Sequence, residues 1–432
     1  MKKERVREMK ESNLEWQGQV PNTWKKVYLK WYYDFEKGKN AALYTADYIG
    51  LNKGIFPVYS GQTENNGVMG NIDTYDYEID ECLFTTTVGA KVMTPRLLSG
   101  KFSLSQNCLI MKKKHQISNN FMFYLLICLF DYEKSLIPSY MQPSLRIEDL
   151  KKYQFFLPPI HEQKTIAEFL DRKCGDIDEL VALQDKMIEE LKAYKQSIIT
   201  ETVTKGLNPN VPLKDSGIEW IGEIPQHWEV KKLKYIVESI RKGNGITKDE
   251  VFSDGDISCV RYGEIYSKYN HGFKECFSFT KEKLHKSPCY FYKGDILCAG
   301  TGELVEEIGK SIVYLGEKQG LTGGDIILIR HNHVPSFLNY SLNSDLSQIQ
   351  KSKGKAKLKV VHISASEIGN IVMPLPPIRE QQEIADFLDK KCSEIDSLID
   401  LKQQKIEELK DYKKSIIYEY VTGKKQVKSN EI

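Results

Sequence analysis

Paired cysteines at metal-ligand spacing are missing from this sequence. Its nine cysteines are scattered, with no CxxC and no CxxH, which argues against a zinc site or a disulfide framework. Free thiols in that number suit a reducing cytosol. Long apolar runs are missing too. The longest, "FMFYLLICLF" (121–130), is too short to span a bilayer and reads as a buried helix. The opening "MKKERVREMKESN" has no apolar core of the kind a secretory signal carries. No charge of one sign dominates: the formal net charge is +2, so a nucleic-acid binder would have to gather its basic residues locally. The eight histidines form no cluster apart from His331 and His333. These absences lead us to expect a soluble, cytoplasmic protein without its own metal.

The tools of several enzymes are also absent. There is no GxxxxGK[ST] phosphate cradle. An amino-methyltransferase would carry N/D-P-P-Y/F, yet the only double prolines, Pro158–Pro159 and Pro376–Pro377, both follow leucine and both lead into a helix. Asp215 with Glu229-Val-Lys231 fits a nuclease spacing loosely, but the matching place in the first half reads Lys25-Lys26-Val27. Glu162-Gln-Lys164 likewise becomes Glu380-Gln-Gln382. We expect no catalytic residues on this chain.

What is present, above all, is repetition. "LPPIHEQKTIAEFLDRKC" (157–174) returns as "LPPIREQQEIADFLDKKC" (375–392), and 157–204 laid over 375–422 gives 30 identities in 48 positions. The start of each half matches as well. "MKESNLEWQGQVPNTWKK" (9–26) aligns with "LKDSGIEWIGEIPQHWEV" (213–230), pairing Trp16 with Trp220, Pro21 with Pro225 and Trp24 with Trp228. The offset there is 204 rather than 218, so the second middle region is 14 residues longer. Between the shared ends the middles resemble each other only faintly. At 432 residues the chain has room for several cores.

The middles read as strands and turns: "GIFPVYSG", "DISCVRYGEIY", "SIVYLG" and "GDIILIRH" are β-branched and aromatic runs broken by Gly, Asn and Asp. The repeats read as helices. Apolar residues fall at Leu170, Cys174, Ile177, Val181, Ile188, Leu191 and Ile198, and again at Leu388, Cys392, Ile395, Ile399, Ile406, Leu409, Ile416 and Tyr420. Phe169, Leu170, Ile177, Ile188 and Leu191, with Phe387, Leu388, Ile395, Ile406 and Leu409, are the expected packing residues. Gln184 and Lys402 interrupt the seam at one equivalent place, Lys195 and Lys413 at another.

Two seams of equal length most simply bury against each other, and a two-fold-like arrangement makes them antiparallel. The expected fold class is α+β: two strand-rich mixed domains, each followed by a long helix, with the helices packed as an antiparallel coiled coil of pseudo-two-fold symmetry. The expected boundaries are 1–156, first domain; 157–206, first helix; 207–374, second domain; 375–425, second helix; 426–432, tail. A coiled-coil scaffold bridging two protein partners is one reading of that plan. Unlike heads on a like rod favour another, in which two different ligands are held at a set distance.

The motifs "LPPI-x-EQ-x-x-IA-x-FLD-x-K", "EELK-x-YK-x-SII-x-E-x-VT" and "EWIGEIP-x-HWEVKKL" make the chain resemble the specificity subunit of type I restriction–modification systems, over essentially its whole length. That resemblance implies that the variable regions are target recognition domains, each reading half of a split, asymmetric double-stranded DNA site. It implies that the helices set the unread gap and dock two modification (methyltransferase) subunits, and that restriction (endonuclease/translocase) subunits join them. S-adenosylmethionine, ATP and Mg would then belong to the partners, and this chain would carry no cofactor.

Candidate DNA contacts lie in the middles. Lys112, Lys113 and Lys114 of "KKKH", and Lys353, Lys355 and Lys357 of "KSKGKAKLK" (351–359), could neutralise phosphates from loops. Gln62, Asn65 and Asn66 in "YSGQTENNG" offer amides to groove edges. Arg261 and Tyr262, and Thr301 in the tight turn "AGTGE", are the second domain's candidates. Glu162, Gln163, Tyr194 and Lys195 recur as Glu380, Gln381, Tyr412 and Lys413, and the repeated polar residues are a candidate docking surface for two equivalent partners.

Overall fold

The computed structural model describes residues 7–62, 65–89, 91–355 and 360–428. Leu-Pro-Pro ends a short strand in each half, and a helix starts directly after it. Those helices run Ile160–Lys205, 46 residues, and Ile378–Val421, 44 residues. Each is stopped by a glycine in the left-handed region, Gly206 at φ +74° and Gly423 at φ +75°. A side chain at either would run into a tryptophan: a Cβ at Gly206 would lie 3.1 Å from Trp228, and one at Gly423 would lie 3.0 Å from Trp24.

The chain divides into two units, Met1–Gln184 with Gln404–Ile432, and Asp185–Gln403. Each therefore holds one variable domain, the first half of the helix that follows it and the second half of the other helix.

In the first unit six strands form one sheet in the order Tyr33–Lys37, Cys108–Lys113, Tyr77–Thr86, Arg96–Leu104, Lys53–Tyr59 and Val68–Ile72. All neighbours are antiparallel except Lys53–Tyr59 beside Arg96–Leu104. The apolar run at 121–130 is indeed a buried helix, Asn119–Ser135, capped where the Ser118 hydroxyl accepts the Phe121 amide at 3.3 Å. Its Phe121, Leu125, Leu126 and Phe130 share a core with Leu83 and Met111 of the sheet, Trp24, and Phe169 and Leu170 of the first long helix. Ile416, Ile417 and Tyr420 of the second helix close that core. There the Phe169 and Tyr420 rings lie 4.4 Å apart and Lys413 meets Asp178 at 2.7 Å. Advancing nine residues along one helix means retreating seven along the other, so the two halves run antiparallel.

The second unit is built on a five-stranded sheet (Ser239–Lys242, Ile326–Arg330, Ile296–Ala299, Ser311–Tyr314, Gly272–Phe273) and a four-stranded one (Ser278–Thr280, Ile257–Val260, Gly320–Thr322, Tyr290–Phe291). The helix Pro335–Asn343 turns Leu338 and Leu342 into the sheet core and packs Phe337 and Tyr340 with Ile384, Leu388 and Cys392 of the second long helix. Ile199 and Val203 of the first helix share that cluster. Lys195 reaches Asp396 at 2.7 Å, the repeat counterpart of Lys413 and Asp178. The expected packing residues Leu170, Ile177, Ile188, Leu388, Ile395 and Ile406 are buried, as is Phe169; Leu191, Leu409 and Phe387 are half-buried. No helix among the described residues is long and apolar enough to cross a membrane.

Candidate nucleic-acid interface

In the first domain the basic cluster is not the loop that its composition predicts. Lys112 and Lys113 end the strand Cys108–Lys113, which pairs antiparallel with Tyr33–Lys37 so that Asp34 lies opposite Lys112. That register sets acids beside lysines: Lys112 pairs with Glu36, Lys113 with Glu81 at 3.4 Å and Lys114 with Asp34 at 3.3 Å. Their charge is largely answered within the domain, which weakens them as phosphate neutralisers.

Beside this ladder lies a cleft of about 470 Å³ lined by Lys30, Trp31, Tyr32, Lys114 and His115. Trp31 is half exposed there, with Tyr32 edge-on to His115 at 6.3 Å. The pattern of basic residues between aromatics in "LKWYY" could have pointed to it, but the run reads equally well as an ordinary strand. The polar loop does project its amides. Asn65 and Asn66 are exposed at φ 47° and 51°, in the left-handed region that Asn tolerates, and Arg96 holds the Asn66 carbonyl from below. Gln62 instead turns inward, its amide donating to the Val68 carbonyl at 2.5 Å.

The second domain also departs from expectation. Thr301 is buried: Thr301–Gly302 pairs with Val361–His362, and the Thr301 hydroxyl lies 3.0 Å from Nδ1 of His362. "AGTGE" is thus part of a strand pair and no open turn. Lys353 is exposed at the end of the helix Asp345–Ser352, whereas Lys355 donates to the His362 carbonyl at 2.7 Å and to Glu367 at 2.6 Å. Lys357 falls outside the described residues. Lys351, the first lysine of that run, is core: its ammonium donates to the carbonyls of Gly309 at 2.7 Å and Leu342 at 2.6 Å, and burial holds its pKa down to about 8. Arg261 and Tyr262 stand at the rim of a cleft of about 510 Å³ with Lys248 and Lys268, the latter two exposed.

The repeated polar residues of the helices also need correction. Glu162 accepts the indole N–H of Trp24 at 3.2 Å and Arg7 at 2.5 Å; Glu380 accepts that of Trp228 at 2.9 Å and lies 2.7 Å from His227. Gln163 is buried between the Ser118 amide and the Pro158 carbonyl, and Gln381 between those of Val334 and Pro376. These pairs lock each domain onto the start of its helix rather than forming a docking face. Lys195 and Lys413 are spent on Asp396 and Asp178. Tyr194 and Tyr412 alone of the eight remain open, each more than half exposed. The first unit bares Leu180 and Leu183 as well as Tyr412, the second Leu398 and Leu401 as well as Tyr194. One apolar trio is therefore displayed twice.

Burial pushes the thiols of Cys108 and Cys298 up to about 11, away from nucleophilic use. Among the described residues no group of three or more His, Cys, Asp or Glu is placed to hold a metal.

Comparison with known proteins covers both halves of the chain. Residues 21–193 and 225–411 match the family model described as the type I restriction modification DNA specificity domain. The MjaVIII type I restriction enzyme specificity subunit of Methanocaldococcus jannaschii is 26% identical over 385 residues, covering 85% of this chain and 86% of that one. A chain from a solved type I restriction–modification system superposes with a TM-score of 0.67 at 15% identity, over 93% of this chain and 98% of its own.

Proposed function

The chain belongs to the type I restriction modification DNA specificity family, and from that premise we propose how its parts divide the work. Each variable domain reads one half of a bipartite, asymmetric duplex site. The paired helices set the number of unread base pairs between the halves. The chain performs no chemistry itself: two modification subunits methylate, restriction subunits cut, and S-adenosylmethionine, ATP and Mg are bound by those partners in the cytoplasm.

One observation carries the recruitment of two equivalent partners. Residues 218 positions apart present the same half-exposed trio, Leu180, Leu183 and Tyr412 in one unit and Leu398, Leu401 and Tyr194 in the other. Like surfaces displayed twice suit two copies of one partner, and exposed apolar groups on an otherwise charged helix suit a protein neighbour.

The test is a gel shift of the chain with its modification partner across a salt series. Specific duplex should be retained, with affinity falling steeply as salt rises. Salt-insensitive or sequence-indifferent binding would favour a protein scaffold instead. Exchange of residues 30–150 should change one half of the methylated motif only. A heptad inserted into each helix should lengthen the gap and leave both halves as they were.

A further inference from the structure

The cleft of about 510 Å³ in the second domain has an unusual floor. Two glycine loops cross there backbone on backbone: a Cβ at Gly243 would lie 2.3 Å from the Gly323 carbonyl oxygen, and one at Gly324 would lie 2.9 Å from the Gly245 Cα. Glycine at these positions is what lets the two backbones touch. What a ligand meets is set by the rim, where Arg261 is the largest cationic group.

Arg261 is held rather than free. Its guanidinium Nη2 lies 3.5 Å from Oε1 of Glu264, whose other oxygen accepts the Arg261 backbone amide at 2.9 Å. Glu264 is itself buried and takes the Ser278 hydroxyl, so it cannot swing away with the arginine. The Nη2 side of the guanidinium is therefore held, and Nε is buried without a partner among the described residues, which leaves the outer N–H groups of Nη1 and Nη2 for a ligand. Lys248 and Lys268 line the same cleft without an ion-pair partner among the described residues. The carboxylate of Asp325, also on the rim, is answered by Lys242 at 3.4 Å. The Lys268 ammonium rests over the Phe277 ring at 5.7 Å, with no carboxylate on it among the described residues. An anchored planar fork sharing a cleft with two ammonium groups that no acid answers suits the O6 and N7 edge of guanine, with phosphates beside it.

We propose that Arg261 reads a guanine in the half-site of the second domain, with Lys248 and Lys268 holding the flanking backbone. This rests on the DNA-specificity reading given above and names the base class and the residue.

The experiment maps methylation in cells carrying the complete modification complex, with wild-type chain and with Arg261→Ala, Arg261→Lys, Lys248→Ala and Lys268→Ala. Arg261→Ala should lose about ten- to hundred-fold discrimination at a single G·C pair of the second half, leaving the first half and the gap unchanged. Arg261→Lys keeps the charge without the fork and should show the same single-position loss, which also covers an alanine variant that fails to fold. The two lysine variants should weaken all sites alike and flatten the salt dependence by about one ion each. A wild-type motif without a G·C pair in the second half overturns the proposal. So does an Arg261→Lys motif unchanged at every position, or methylation lowered evenly across all sites. A wild-type complex that methylates no bipartite motif would instead sink the family-based reading on which the proposal stands.

Discussion

The Lys195 ammonium lies 2.7 Å from both carboxylate oxygens of Asp396, which is 201 residues further along the chain. Exchanging the repeats turns that pair into Asp178 with Lys413, also 2.7 Å apart. A polar break in the apolar seam thus has a dedicated partner on the opposite helix in each unit, and only the antiparallel register brings them together.

Lys195→Ala should destabilise the second unit by about 0.5–1 kcal/mol, since Asp396 is partly solvated. Lys413→Ala should cost less, because the Asp178 side chain is 64% exposed. A double-mutant cycle on Lys195 and Asp396, followed by denaturant melts at low and high salt, checks this. The coupling should shrink as salt rises.

The tryptophan latches should be stronger. Glu380→Ala leaves the indole N–H of the fully buried Trp228 without an acceptor, a loss of about 1–3 kcal/mol. Glu162→Ala should act alike on Trp24. Tryptophan-monitored denaturation midpoints would show it. An unchanged midpoint in both would mean that the latches contribute nothing.

Lys351 makes stability depend on alkaline pH. Burial holds its native pKa near 8, against 10.5 for a free lysine. Between those values the unfolded chain binds more protons than the native one, so stability rises with pH from about 8 to 10.5. Below 8 both states are charged and the desolvation penalty stands in full. The difference in denaturation midpoint between wild type and Lys351→Met, taken at each pH, isolates this residue from tyrosines and thiols that titrate nearby. A difference that does not vary with pH would refute it.

At the acid end His271 acts in the same sense, over a different pH range. Its ring stacks on Tyr340 at 3.6 Å, and the Asn339 amide lies 2.9 Å from Nδ1. Burial, aided by Lys195, lowers its pKa to about 3. The unfolded state takes up a proton near 6.5 and the native state does not, so stability should fall as pH drops from about 6.5 toward 3. His271→Phe should flatten that decline in equilibrium unfolding between pH 7 and 4.

Much of this architecture could be read from residue types alone. The helix starts follow from Leu-Pro-Pro, and the seam follows from Leu170, Ile177, Leu388 and Ile395 at heptad spacing; the glycine stops at 206 and 423 showed only in the structure, which ends the second helix at Val421 rather than 425. The site was far less legible. The lysines at 112–114 look like a phosphate loop until the strand register sets Asp34 and Glu36 beside them. Lys351 looks like the start of a basic surface run, yet two backbone carbonyls hold its ammonium inside the core. Glu162 and Glu380 look like a shared docking face because they recur. They recur because each half must seat a tryptophan against the start of its helix.

By itself the amino-acid order determined the duplication, the helical seam, the strand-rich middles and the antiparallel packing of like helices. Those features rest on periodicity and local backbone preference, which each short stretch carries within itself. Tertiary structure alone decided which charges are spent and which remain for a ligand: Lys112 against Glu36, Lys355 against Glu367, Arg261 braced by Glu264. An ion pair or a glycine crossing joins groups brought together by register and packing, and neither is written in the spacing of residues along one strand.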